Sequence, residues 1–118
     1  MNSLEEMKIY QNYVDLFYYT YRITEKYPKY EKAGLVIDIK QVTKNGLENI
    51  INAQKEFNLT KRLNYLNKAD AELKTLKVLI RTSYKFKYIS SKNYAAWSHK
   101  LTNIGNNLYG WIKTCVRQ

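Results

Sequence analysis

Lys74, Lys77, Arg81 and Lys85 recur at intervals of 3, 4 and 4 residues. On a helix that turns about 100° per residue they fall within about 80° of arc. Side chains of this type in this pattern can hold phosphates or carboxylates through charge-assisted hydrogen bonds. Lys92, Lys100, Lys113 and Arg117 extend the positive charge towards the end of the chain. No acidic residue follows Glu72, and the last 46 residues carry nine positive charges. The first 72 hold eleven basic and ten acidic side chains, so +9 of the formal +10 lies in the C-terminal part. Charge this one-sided concerns partners rather than fold. It points to a polyanion, most often a nucleic acid, RNA or DNA. An acidic protein surface is a competing partner, and a solvated basic face that only aids solubility is the plain alternative.

Bond-making chemistry is not expected. His99 is the only histidine and Cys115 the only cysteine. No Ser-His-Asp or Cys-His arrangement, Gly-rich phosphate loop or Glu-x-x-His di-metal element can be assembled from this sequence. An internal disulfide and a cysteine-based metal site are both excluded. The reading is therefore of a non-enzyme with no cofactor and no metal. Asp70 is expected to pair with Lys74 four residues on. The twelve tyrosines, seven of them in the first 30 residues, are unusual. Most are expected to pack with the hydroxyl at a bundle edge; the others can offer stacking faces to unpaired bases.

Four helices must position these groups. No stretch approaches the ~20 apolar residues of a membrane span. The start, Met1-Asn2-Ser3-Leu4-Glu5-Glu6, lacks the basic and apolar regions of a signal peptide, so a cytoplasmic protein without a membrane partner is expected. The first helix is predicted over residues 3–27, with Ser3 and Glu6 at capping-box spacing. Leu4, Met7, Val14, Phe17 and Tyr21 are expected to line its inner face, and Pro28 to end it. The second is predicted over 32–57, with a stripe of Leu35, Ile39, Val42, Gly46, Ile50, Ala53 and Phe57. A β-rich run over 36–43 and the Asn45-Gly46 turn signal compete with it, but the residues that follow do not alternate. The third, over 60–89, carries Leu66, Ala69, Leu73, Leu76, Ile80, Ser83 and Lys87. The fourth starts at Ser90 or Ser91 and carries Tyr94, Trp97, Leu101, Ile104, Leu108, Trp111 and Cys115. Such 3-4 seams pack at shallow angles. The fold class is all-α: one domain over 1–118, an up-down-up-down antiparallel four-helix bundle about 35 Å long. Gly105 and Gly110 inside the fourth helix are expected to allow close approach of another helix.

Several segments together resemble a known family. Arg62-Leu63-Asn64-Tyr65-Leu66-Asn67, Ala69-Asp70-Ala71-Glu72-Leu73, Leu79-Ile80-Arg81, Tyr88-Ile89-Ser90 and Leu108-Tyr109-Gly110-Trp111-Ile112-Lys113 look like the accessory variability determinant (Avd) family. Tyr27-Pro28-Lys29 and Gly34-Leu35 fit as well. The resemblance implies a four-helix bundle assembling as a barrel-like homopentamer. It implies a basic surface that binds nucleic acid and a reverse transcriptase during mutagenic cDNA synthesis in diversity-generating retroelements. It implies no catalysis by the accessory protein itself. Three departures stand out: Asn106 where relatives often carry arginine, Tyr109 where they carry a small residue, and Thr102 and Asn103 where they often carry acids. A stand-alone nucleic-acid-binding bundle, or a purely structural oligomer without a retroelement partner, is the alternative.

Overall fold

The computed structural model describes residues 4–117. It contains α1 (Leu4–Thr24), α2 (Leu35–Lys55), α3 (Leu59–Lys85) and α4 (Ser91–Arg117), with a one-turn 3-10 helix, Lys29–Glu31, after α1. No strand occurs among the described residues. The competition between helix and hairpin in residues 36–53 is resolved as helix. Buried Ile39, Thr43, Gly46, Ile50 and Ala53 recur every three or four positions and need one helical face.

The ends of the helices follow from local hydrogen bonding. Asn58 caps α3, its side-chain oxygen accepting the Lys61 N–H at 3.0 Å. Ser90 does the same for α4, accepting the Asn93 N–H at 3.0 Å. Glu31 accepts the Leu35 N–H at 3.2 Å at the start of α2. The Arg62 Nε donates to the carbonyls of Ala53 and Glu56 at 3.1 and 2.9 Å and closes the end of α2. The Lys32 ammonium donates to the Thr24 and Glu25 carbonyls at the end of α1. The expected Ser3–Glu6 capping box lies outside the described residues.

Each helix runs back along its predecessor, and α4 closes the ring against α1. Tyr13 meets Thr43 while Tyr21 meets Lys40, so α1 and α2 are antiparallel. Asn12 bonds Asn107, Asp15 bonds Lys100, and Thr20 accepts from Trp97, so α1 and α4 are antiparallel too. The Cα framework measures 46 × 25 × 19 Å, longer than the ~35 Å expected; the 27 residues of α3 and of α4 account for about 40 Å of that length.

The core confirms the seams of α3 and α4. Leu66, Ala69, Leu73, Leu76, Ile80 and Ser83 are buried, as are Trp97, Leu101, Ile104, Leu108, Trp111 and Cys115. Lys87, read as the last step of the α3 seam, lies outside the helix and is exposed. It occupies the left-handed region at φ 64°. Phe57 also leaves the seam of α2 and is 87% exposed beyond the helix end.

The inner face of α1 differs from the one expected. Ile9, Tyr13, Leu16, Thr20 and Ile23 are buried, whereas Met7 is 49% exposed and Val14, Phe17 and Tyr21 are only half-buried. Leu4 lies among the residues whose side chains are not described. Both faces of α1 have helical spacing; partners select between them. Trp97, fully buried, donates its Nε1–H to the Thr20 hydroxyl at 3.2 Å, which makes a polar position an inner one. Pro28 does not end α1 either. The helix stops at Thr24, and Pro28 precedes the 3-10 turn with φ −54° and ψ 146°.

The glycine needed for close approach is Gly46. A Cβ there would overlap the hydroxyl of fully buried Tyr13 and lie 2.9 Å from its Cζ. Its absence lets the Tyr13 hydroxyl reach over the α2 backbone and donate to the Thr43 carbonyl at 2.9 Å. Nothing lies within 4 Å of the corresponding positions at Gly105 and Gly110, so no helix of the same chain requires those two glycines.

Candidate nucleic-acid interface

The expected stripe lies on the open side of α3. Lys74, Lys77, Arg81 and Lys85 are all exposed, on a face turned roughly a quarter-turn or more from the buried Leu73/Leu76/Ile80 row. Asp70 pairs with Lys74 at 2.6 Å, as the i,i+4 spacing predicts. Lys77, Arg81 and Lys85 form no ion pair among the described residues. Such solvated pairs contribute little to stability, on the order of 0–1 kcal/mol, so the stripe is not explained as a stabilising network.

Two hollows follow the α3–α4 edge. The first, of about 380 Å³, is lined by Asp70, Lys74 and Lys77 of α3 and by Thr102, Asn106 and Tyr109 of α4. Gly105 also borders it and leaves it open. Lys113 reaches over the Tyr109 ring, with Nζ 5.2 Å from the centroid, which adds its charge beside this hollow. The second, of about 460 Å³, lies at the α3–α4 connection and is lined by Arg81, Tyr84, Lys85, Lys87, Ile89 and Tyr94.

The structure does not bring all the candidate cations together. Lys100 is half-buried on the α1 side of α4, bonded to Asp15 at 2.8 Å and lying over the Tyr19 ring. Its charge is largely answered within the chain. Lys92 is exposed at the start of α4 and lines neither hollow. The side chain of Arg117 lies outside the described residues. Lys87 was read as part of the seam, not of the interface, yet it lines the second hollow with Arg81 and Lys85.

The tyrosines divide by role. Tyr13 and Tyr27 are buried. Burial pushes the Tyr13 phenol well above its ordinary range, with the negative charge of Glu72 acting in the same direction. Burial raises Tyr27 to about 12, opposed by the hydroxyl of Ser83 and aided by Glu31. Tyr88 is raised by its hydrogen bonds to Tyr30 and Glu31. Its hydroxyl donates to Glu31 Oε2 at 2.8 Å, which ties the α3–α4 connection to the start of α2. Tyr84 and Tyr94 stack on each other, with centroids 4.5 Å apart and planes 8° from parallel. Tyr18, Tyr30 and Tyr109 are largely exposed.

His99 is exposed, and Cys115 is buried in the α4 seam. Among the described residues no group of three or more His, Cys, Asp or Glu is placed to hold a metal ion. No helix among them is long and apolar enough to cross a membrane.

The molecule is a four-helix bundle with an acid-poor, cation-lined edge on two adjacent helices. The chain belongs to the bAvd-like family, whose pattern matches residues 7–115. A solved structure with the same fold is a protein of unknown function from the S23 ribosomal protein family of Bacteroides thetaiotaomicron. The two share 18% identity and superpose with a TM-score of 0.80 over 93% of this chain and 99% of that one. No curated protein matches the sequence.

Proposed function

We propose that this chain is a non-catalytic accessory protein of a diversity-generating retroelement, binding RNA and a reverse transcriptase through its α3–α4 edge. The observation that carries this reading is the placement of Lys77, Arg81 and Lys85. They are exposed, lack ion pairs among the described residues, and border the two hollows of that edge. Membership of the bAvd-like family supports the retroelement context. Cations in this pattern contact phosphates and position a strand without reading its sequence. In this reading the protein acts as a barrel-like ring of five copies, which multiplies the phosphate contacts available to one RNA. The exposed Met7, Tyr10 and Tyr18 support an assembling surface on α1.

The test is the double variant Lys77→Glu with Arg81→Glu. Both side chains are exposed, so the melting temperature should stay near that of the parent, with changes within about 0.5 kcal/mol per site. Binding to single-stranded RNA and to the reverse transcriptase encoded beside the gene should fall sharply. A variant that folds and binds both partners as well as the parent would remove this edge as the interface.

A further inference from the structure

We propose that the recess at the α3–α4 connection is a stacking site for an unpaired nucleobase, with the flanking phosphates held by Arg81, Lys85 and Lys87. The inference rests on the nucleic-acid reading above and adds to it a site and a chemistry. Three observations converge. Tyr84 and Tyr94 are already stacked at 4.5 Å, so the platform is formed before any ligand arrives. Tyr84 remains 40% exposed, which leaves ring surface available to a further flat group. Three cations and no carboxylate line the same recess.

The backbone provides the third of these cations at a cost. α3 closes with the Tyr88 N–H donating to the Ser83 carbonyl and the Lys87 N–H to the Tyr84 carbonyl, both at 2.9 Å. This is the Schellman arrangement, and its left-handed position is normally filled by glycine or asparagine. Here it holds Lys87 at φ 64°. A lysine in that region is disfavoured relative to glycine. Lys87 lines the recess together with Arg81 and Lys85, where a phosphate bound next to a stacked base would need its charge. An aromatic platform with adjacent cations recognises single strands, because in a duplex the base faces are covered by their neighbours.

The experiment measures binding of one labelled RNA of mixed sequence, single-stranded and as a blunt duplex, by the full chain and three variants. Tyr84→Ala should weaken single-strand binding between about five-fold and one hundred-fold, the range of one lost base–aromatic stack, and leave duplex binding within about two-fold. Tyr84→Phe should restore single-strand binding, since the ring and not the hydroxyl does the stacking. Lys87→Gly should melt at a higher temperature than the parent and bind both forms more weakly, so it tests the site even if Tyr84→Ala fails to fold. The proposal is overturned if Tyr84→Ala binds the single strand like the parent, or if single strand and duplex weaken equally. It is also overturned if Tyr84→Ala keeps RNA binding and loses only the polymerase, which would make the recess a protein contact. A parent that binds neither RNA form sinks the nucleic-acid reading and this site with it, whereas an effect absent only from the Tyr84 variant sinks the site alone.

Discussion

Substituting Gly46 by alanine should destabilise the bundle although alanine is the better helix former. The intrinsic gain is about 1 kcal/mol for a helix interior. Against it stands the new methyl group, which would overlap the Tyr13 hydroxyl and press on Cζ at 2.9 Å. Tyr13 has no exposed surface, so its ring cannot swing into solvent. Overpacking of a core costs about 1–3 kcal/mol. Moving the hydroxyl away also breaks its bond to the Thr43 carbonyl, and a buried hydroxyl left without a partner costs about 1–3 kcal/mol more. The two costs overlap, because one displacement causes both. The net expectation is a loss of about 1–4 kcal/mol, or a fall in Tm of roughly 4–15 °C for a chain of this size. Urea titration followed by circular dichroism measures it. The mechanism is checked in the Tyr13→Phe background, where the overlapping oxygen is gone. There the same alanine should cost at least about 1 kcal/mol less. If Gly46→Ala is as stable as the parent, or if its cost is unchanged without the Tyr13 hydroxyl, the close-approach argument is wrong.

Other expectations concern the remaining glycines and the buried phenols. Gly105→Ala and Gly110→Ala meet no atom of the chain and should each raise stability by about 1 kcal/mol, read from the same melts. A loss of stability at either position that depends on protein concentration would show that a neighbouring copy approaches there. Stability should also fall as pH rises above about 10, the ordinary tyrosine range. Tyr13 and Tyr27 keep their protons in the folded state, Tyr27 to about 12, while the unfolded chain loses its own first. The folded state then binds more protons, and each such tyrosine lowers stability by up to about 1.4 kcal/mol per pH unit in that window. Tyr13→Phe should flatten the alkaline decline, and an unchanged pH profile would count against burial as its cause.

The bundle could be read from the sequence where one face of a helix is apolar and the rest is not. That describes α3 and α4, whose buried rows match their 3-4 spacing from Leu66 to Ser83 and from Trp97 to Cys115. α1 misled because it is apolar and aromatic on more than one side. What decides its inward face is Trp97, 77 residues from Thr20 in sequence. The cationic stripe was visible because its spacing is local. The pairing of Lys100 with Asp15 was not, because the partners are 85 residues apart and meet only when α4 returns along α1. The same reason hid the Tyr84–Tyr94 stack, which exists only because the connection after Lys85 reverses the chain. Arg62, one of the residues carrying the family resemblance, serves the fold by closing α2.

The most direct test of the central claim is the salt dependence of RNA binding by the parent chain. If the α3–α4 cations displace counterions from phosphates, log K should fall linearly with log salt, by about 0.7 per phosphate contact on a single strand. Several contacts per subunit predict a steep line, and Lys77→Glu with Arg81→Glu should make it measurably shallower. A slope near zero, or a steep slope that the double variant leaves unchanged, would contradict the account.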